Sequence, residues 1–292
     1  MKKSKFPYLV LTPMLLLLTV FVALPIIASF VISFMDYNPL RSEGNALVGF
    51  KNFIRLFQDE YFIIALKNTF YFTLVASVIN LILSVLFAQL LCSLHSNKSR
   101  SLFRVLLFMP CVAPLAASAI VWARSIFPLK GGLLNMALGA LGMAPVNWLG
   151  SVAMVMPSII AVTLWADLGY NIVLLISGIE GIPGDFYEAA QIDGAGALRR
   201  FFQITLPLLS RTLSFVILMT IISYFQAFAQ FSIMVKGGGV GYSASVLSTF
   251  IYEKGFTNKD MGYASAVAVV LFIIVMVVTM VQRRMSKTDW GY

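Results

Sequence analysis

Charge is scarce in this sequence, and so are the residues from which most active sites are made. Of 292 residues only 12 are acidic, one is histidine and two are cysteine. With His95 as the sole histidine an HExxH zinc site cannot form, and no CxxC pair is present. His95 reads as a solvated polar residue in a connection, which leaves no Ser-His-Asp or Cys-His arrangement. Cys92 and Cys111 lie inside or at the edge of apolar runs, unlike the regularly spaced cysteines of a disulfide framework. A GxxxxGK[ST] phosphate loop is missing too. No catalytic residue, metal site or cofactor is therefore assigned to this chain. Its 21 Lys and Arg give a net charge of +9 but form no basic stripe, which argues against nucleic acid as a partner.

What fills the sequence instead is apolar: 60% of residues are hydrophobic and 11% charged, against about 25% charged in a soluble chain. A soluble fold could not hide so much apolar surface, whereas lipid can act as its solvent. A helix crossing a bilayer needs about 20 apolar residues. Six runs qualify: 8–34, 68–94, 105–123, 153–176, 212–235 and 261–282. They are read as helices, because lipid-exposed backbone must pair internally and barrel-strand alternation is absent. The first run follows Lys2, Lys3 and Lys5 but exceeds the about 7–15 apolar residues of a signal peptide, so it is expected to be an uncleaved span. The expected fold is all-α, a six-span polytopic membrane protein forming a single transmembrane domain over residues 1–292.

Short-loop charges orient it. Lys2, Lys3 and Lys5; Lys98, Arg100 and Arg104; Arg199, Arg200 and Arg211; and Arg283, Arg284 and Lys287 all fall on one side of six spans. Both termini are thereby placed in the cytoplasm. On the opposite side, Phe50, Phe53, Ile54, Leu56 and Phe57 have helical spacing and predict a short interfacial helix. Residues 124–152 predict another short apolar helix between turns, with Trp148 at the interface, and Gly237-Gly238-Gly239 predicts a flexible turn.

The segment 180–211 is distinctive. Pro183 limits helix upstream; Asp185 is placed as N-cap, with Glu188 three residues on. Phe186, Ala189, Ala190 and Ile192 give one apolar face, and Gly194 suits a left-handed helix end. Phe201, Phe202 and Ile204 then lead to Leu206-Pro207 and the next span. A cytoplasmic helix with such a face either docks on a partner or lies on the membrane surface.

The spacing Glu188-Ala189-Ala190, three residues, Gly194, nine residues, Ile204, one residue, Leu206-Pro207 resembles at every position the EAA signature of ABC importer permeases. The likeness extends to carbohydrate-uptake permeases of the maltose and glycerol-phosphate type, and to the first of their two paired permeases. It rests there on Gly49-Phe50-Lys51-Asn52-Phe53, Asn68-Thr69, Trp148-Leu149-Gly150 and Gly262-Tyr263-Ala264-Ser265-Ala266, and covers roughly residues 8–285. One departure is Gly237-Gly238-Gly239, where the family usually reads Gly-Gly-Pro. The resemblance implies an ABC type I importer fold in a bacterial plasma or inner membrane. It also implies a second permease, two cytoplasmic ATPase subunits that bind ATP and Mg, an extracellular or periplasmic binding protein, and a sugar or sugar derivative as cargo. It makes Phe186, Glu188, Ala189, Ala190, Asp193, Gly194, Ile204 and Pro207 the residues that couple to the ATPase.

Asp167 is the one acid well inside a span, and ionisable groups there default to function. Three readings stand beside one another: contact with substrate, pairing across a subunit interface, or a hydrated cavity without ligand. Tyr170 and Asn171 follow it, and Tyr224, Phe225, Gln226, Phe228 and Gln230 mix rings with amides in the fifth run. These are candidates for the substrate path, although a packed helix core would share that composition. An ion-coupled carrier would need relays of ionisable groups or repeated halves, and neither is visible.

Overall fold

The computed structural model describes residues 6–41 and 45–285, with side chains from residue 10 onwards. The expected basic residues Lys2, Lys3, Lys5 and Lys287 lie outside the described residues. The chain is mostly helical. α1 (Phe6–Leu18) and α2 (Leu24–Ile32) are joined by a wide, π-type turn at Thr19–Ala23. The cause lies just beyond it. Pro25 has no N–H and its ring would crowd a carbonyl one turn back, so Leu24 donates instead to Thr19, five residues earlier. A two-stranded antiparallel hairpin follows, β1 (Met35–Asp36) with β2 (Ala46–Leu47), pairing Met35 with Leu47. The short helix expected around residues 50–57 forms as α3 (Lys51–Gln58).

α4 (Glu60–Ser93) starts eight residues before the apolar run does. Asp59 sets that start, its Oδ1 accepting the Tyr61 N–H at 2.9 Å. α5 (Asn97–Val112) and α6 (Leu115–Val121) together cover the third span expected over 105–123. They are bent by 91° at Ala113-Pro114. Ala113 is held extended (φ −73°, ψ 133°), as a residue before proline prefers. α6 runs on through a wide turn at Trp122–Ile126 to α7 (Leu133–Ala140), the short helix expected in 124–152. α8 (Val152–Glu180) carries Asp167. After α9 (Asp185–Ile192) come α10 (Ala197–Arg200), a wide turn at Phe201–Thr205, and α11 (Leu206–Leu208). Here the logic of Pro25 recurs: Leu206, just before Pro207, donates to Phe201. α12 (Ser210–Phe225), α13 (Ala229–Met234), α14 (Leu247–Tyr252) and α15 (Met261–Met285) complete the chain. Among the described residues five helical stretches are long and apolar enough to cross a membrane, and six if the bent α5–α6 pair counts as one.

The residues fall into two compact units, with boundaries after Ile63, Val246 and Ile274. In the unit made of residues up to 63 and 247–274, polar contacts fix the loops. Asn52 donates to the Ser33 and Met35 carbonyls, each at 2.9 Å. Arg55 pairs with Asp260 at 2.7 Å and lies 4.1 Å over the ring of Tyr263, whose hydroxyl donates to Asp59 at 2.7 Å. No described side chain of Val10–Ile32 is buried.

In the unit made of residues 64–246 and 275 onwards, α4, α8 and α12 pack around two apolar cores. One holds Phe72, Ile159 and Phe231; the other holds Ala88, Leu175, Leu209 and Val216. α5 presses on α8 at Gly169, where an added Cβ would meet the Leu107 carbonyl oxygen at 2.1 Å. Asn135 ties down the connection after α6: its Oδ1 accepts the Val146 N–H at 2.9 Å and the Trp148 indole N–H at 3.2 Å. The indole N–H of Trp148 is thus spent inside the protein.

Candidate functional site

α9 is short, and its two ends explain why it stands as a discrete element. Gly184, not Asp185, is its N-cap, so the capping box expected between Asp185 and Glu188 does not form. The reason is local: Gly184 already has helical backbone angles, and its carbonyl accepts the Tyr187 N–H at 2.8 Å and the Glu188 N–H at 3.0 Å. Asp185 and Glu188 sit in the first turn, where their charge meets the positive end of the helix dipole. At the other end Gly194 has φ +74°. Its N–H bonds to the Gln191 carbonyl at 3.1 Å, and the Ala195 N–H to the Ala190 carbonyl at 2.9 Å. This pair of bonds is the Schellman closure, and the positive φ is why glycine stands there.

The helix is anchored lightly. The Tyr187 hydroxyl bonds Thr205 Oγ1 at 3.0 Å, with Thr205 buried, and Ile182 is buried before the helix. Most of its other side chains face outwards. Phe186, Glu188, Ala189 and Asp193 are exposed, as are Ile192 at 87% and Leu198 at 76%; Ala190 is half-buried. Further on, Ile204 is half-buried and Pro207 exposed. The residues before and after α9 are gripped more firmly. Glu180 at the end of α8 pairs with Arg104 at 3.1 Å and Arg100 at 3.8 Å on α5. Arg100 also donates to the Cys92 and Leu94 carbonyls at the end of α4, at 3.0 and 2.9 Å. A Cβ at Gly178 would meet Leu209 at 2.7 Å, so α8 and the start of α12 touch there. The half-exposed ion pairs add little stability; they hold the ends of α4, α5 and α8 in register around the base of α9.

The second cluster lies half-way along α8. A cavity of about 320 Å³ is lined by Asp167, Tyr170, Asn171, Thr220, Ser223 and Tyr224, together with Cys111, Ala166 and Met219. Behind it runs a buried polar network through α4, α8 and α12. Asn171 Nδ2 donates to Asn80 Oδ1 at 2.7 Å and to Thr220 Oγ1 at 3.0 Å. Asn80 Nδ2 donates to the Tyr224 hydroxyl at 3.0 Å, and Ser84 Oγ to Asn80 Oδ1 at 3.1 Å. Tyr224 and Asp167 stand on the same wall of the cavity. Unpaired polar groups inside apolar surroundings are costly, so these side chains meet one another.

Of the residues singled out from the sequence, Asp167, Tyr170, Asn171 and Tyr224 come together. The others do not join them. Phe225 packs edge-on against Phe70 at 5.2 Å, Gln226 is exposed where α12 ends, and Gln230 is buried with its amide 3.4 Å from Thr163 Oγ1. Phe228 is half-buried in the break before α13. Missed altogether were Asn80, Ser84 and Thr220. The signal for Asn80 was an amide in the middle of an apolar run.

Residues 80–288 match the family described as binding-protein-dependent transport system inner membrane component. The chain is 36% identical to the probable ABC transporter permease protein YurN of Bacillus subtilis (strain 168), over 97% of this chain and 96% of that protein. It is 30% identical to the arabinooligosaccharides transport system permease protein AraP of the same organism, over 99% of this chain and 91% of that one. Its fold is also that of a chain in the crystal structure of a bacterial alginate ABC transporter in complex with an alginate pentasaccharide-bound periplasmic protein. There the TM-score is 0.87 and the identity 23%, covering 98% of this chain and 96% of the other. With its apolar helices, its family match over more than two thirds of its length and relatives aligned from end to end, the chain belongs to the inner-membrane permease family of binding-protein-dependent ABC transporters and is a multi-pass transport subunit, not an enzyme.

Proposed function

We propose that this chain is one of two membrane-spanning subunits of an importer for a sugar or sugar derivative. α9 is its coupling helix, docked on a cytoplasmic ATPase subunit that binds ATP and Mg. One observation carries this reading: α9 presents exposed Phe186 and Ile192, is capped by Gly194 in a left-handed conformation, and bears the Glu188-Ala189-Ala190 to Gly194 spacing of the coupling signature. A helix that leaves its apolar side chains outward while fixing both ends is suited to being gripped. Both termini and the segment 180–211 lie on the cytoplasmic side, following the excess of Lys and Arg in the short loops. All of residues 1–292 serve as the transmembrane domain.

Sugar as cargo is supported by the named substrate of AraP and by the local likeness to carbohydrate permeases. The cavity around Asp167 is this subunit's share of the path. Closure of two ATPase subunits on ATP would move α9 and, through the grip of Arg100 and Arg104 on Glu180 and the contact of Gly178 with Leu209, the ends of α4, α5, α8 and α12. A binding protein delivers the sugar from outside.

The test is affinity purification of the full tagged chain in mild detergent, followed by mass spectrometry. An ATPase, a second permease and a binding protein should co-purify. A chain recovered alone that transports in liposomes without ATP would replace this reading with an ion-coupled carrier.

A further inference from the structure

Accepting the cavity as part of the solute path, the geometry points to uncharged sugars as the cargo, with sugar acids and sugar phosphates excluded. The resemblance to maltose-type and glycerol-phosphate-type permeases leaves both classes open; the cavity wall separates them. Among the described residues Asp167 is the only charged one lining it, and none of the lining residues is Lys, Arg or His. Among the described residues Asp167 takes part in none of the ion pairs. A carboxylate or phosphate entering here would face a like charge with no cation on this subunit's wall to offset it, in surroundings that screen poorly.

The hydrogen-bond inventory points the same way. Fixed N–H donors would hold an anionic group best, and the one amide on the wall is already used. Asn171 Nδ2 is committed to Asn80 and Thr220. What remains towards the cavity is the Asp167 carboxyl, an acceptor, and the hydroxyls of Tyr170, Thr220 and Ser223, which accept as readily as they donate. Neutral sugar hydroxyls can donate to such a wall, and a carboxylate acceptor makes those bonds charge-assisted. The half-exposed ring of Tyr170 adds a flat apolar surface beside them.

Cys111, on the same wall, supplies a built-in probe. With Cys92→Ala the full chain, assembled with its partner subunits in nanodiscs, has one thiol. Its modification rates by 2-(trimethylammonium)ethyl and by 2-sulfonatoethyl methanethiosulfonate, similar in size and opposite in charge, are compared with those of a small thiol in solution. The cationic reagent should be favoured by about tenfold or more over the solution ratio, and Asp167→Asn should remove most of that excess. A ratio equal to that in solution with Asp167 intact overturns the proposal, and this measurement needs no variant at Asp167. Protection of Cys111 is then measured with maltotriose, arabinotriose and trehalose, and with trigalacturonate and glycerol 3-phosphate at equal concentration. Protection by uncharged sugars alone supports the proposal. Equal protection by the anions overturns it while leaving the path reading standing, and protection by none removes the cavity from the path.

Discussion

α9 and the network behind Asp167 treat polarity in opposite ways. α9 keeps Phe186 and Ile192 in the open and spends its hydrogen bonds on closing its own ends. The network hides Asn80, Asn171 and Tyr224, and each finds its partner on a different helix. The first region is complete locally and lacks a cover. The second is covered, and complete only because three helices meet. Under the proposed function, the difference separates the part that would be gripped from outside from the part that fixes how the helices stand together.

The largest expected effect comes from breaking the first region at its end. Gly194→Pro demands φ near −65° where the chain has +74°, and removes the N–H bonded to Gln191. Sugar uptake should fall to background and the ATPase should no longer co-purify, while membrane insertion and pairing with the second permease persist. A complex that still assembles and transports would show that α9 is not the coupling element.

The second region should answer to stability rather than to assembly. Asn80→Ala strips partners from Tyr224, Asn171 and Ser84, at about 1–3 kcal/mol for each buried group left unpaired. Thermal unfolding in detergent should shift down, with ATPase binding kept. Combining it with Asn171→Ala should cost less than the sum of the two, by about 0.5–2 kcal/mol; strict additivity would mean the two amides do not act as a unit. The smallest effect is expected at Tyr187→Phe, which loses one hydrogen bond to Thr205 and about 0.5–1.5 kcal/mol. ATP hydrolysis should become less tightly tied to uptake, a ratio measurable in proteoliposomes, and an unchanged ratio would make that bond a local fastening only.

Hydropathy alone was enough to find the apolar helices, because length and composition decide whether a segment can cross lipid. It failed at Ala113-Pro114, where the run reads as continuous yet the chain turns by 91°; proline leaves hydropathy untouched and changes direction. Gly194 was readable because a left-handed helix end favours one residue type. The cap at Gly184 was not, since Asp185 satisfies the same pattern one position later and only the backbone angles choose between them. Asp167 announced itself by its charge. Its companions Asn80 and Thr220 come from helices far apart in sequence, and no periodicity within one helix says which faces will meet.

The wide turn at Phe201–Thr205 holds one residue more than an ordinary helical turn, and every residue after it inherits the resulting rotation. At 3.6 residues per turn, one residue is about 100° around the axis. Thr220 and Tyr224 look towards Asn171 and Asn80 in this phase. The number of residues between Gly194 and α12 therefore acts as a dial, set in the connector and read out some twenty residues later, which makes the length of this segment as much a determinant of the buried network as the side chains that form it.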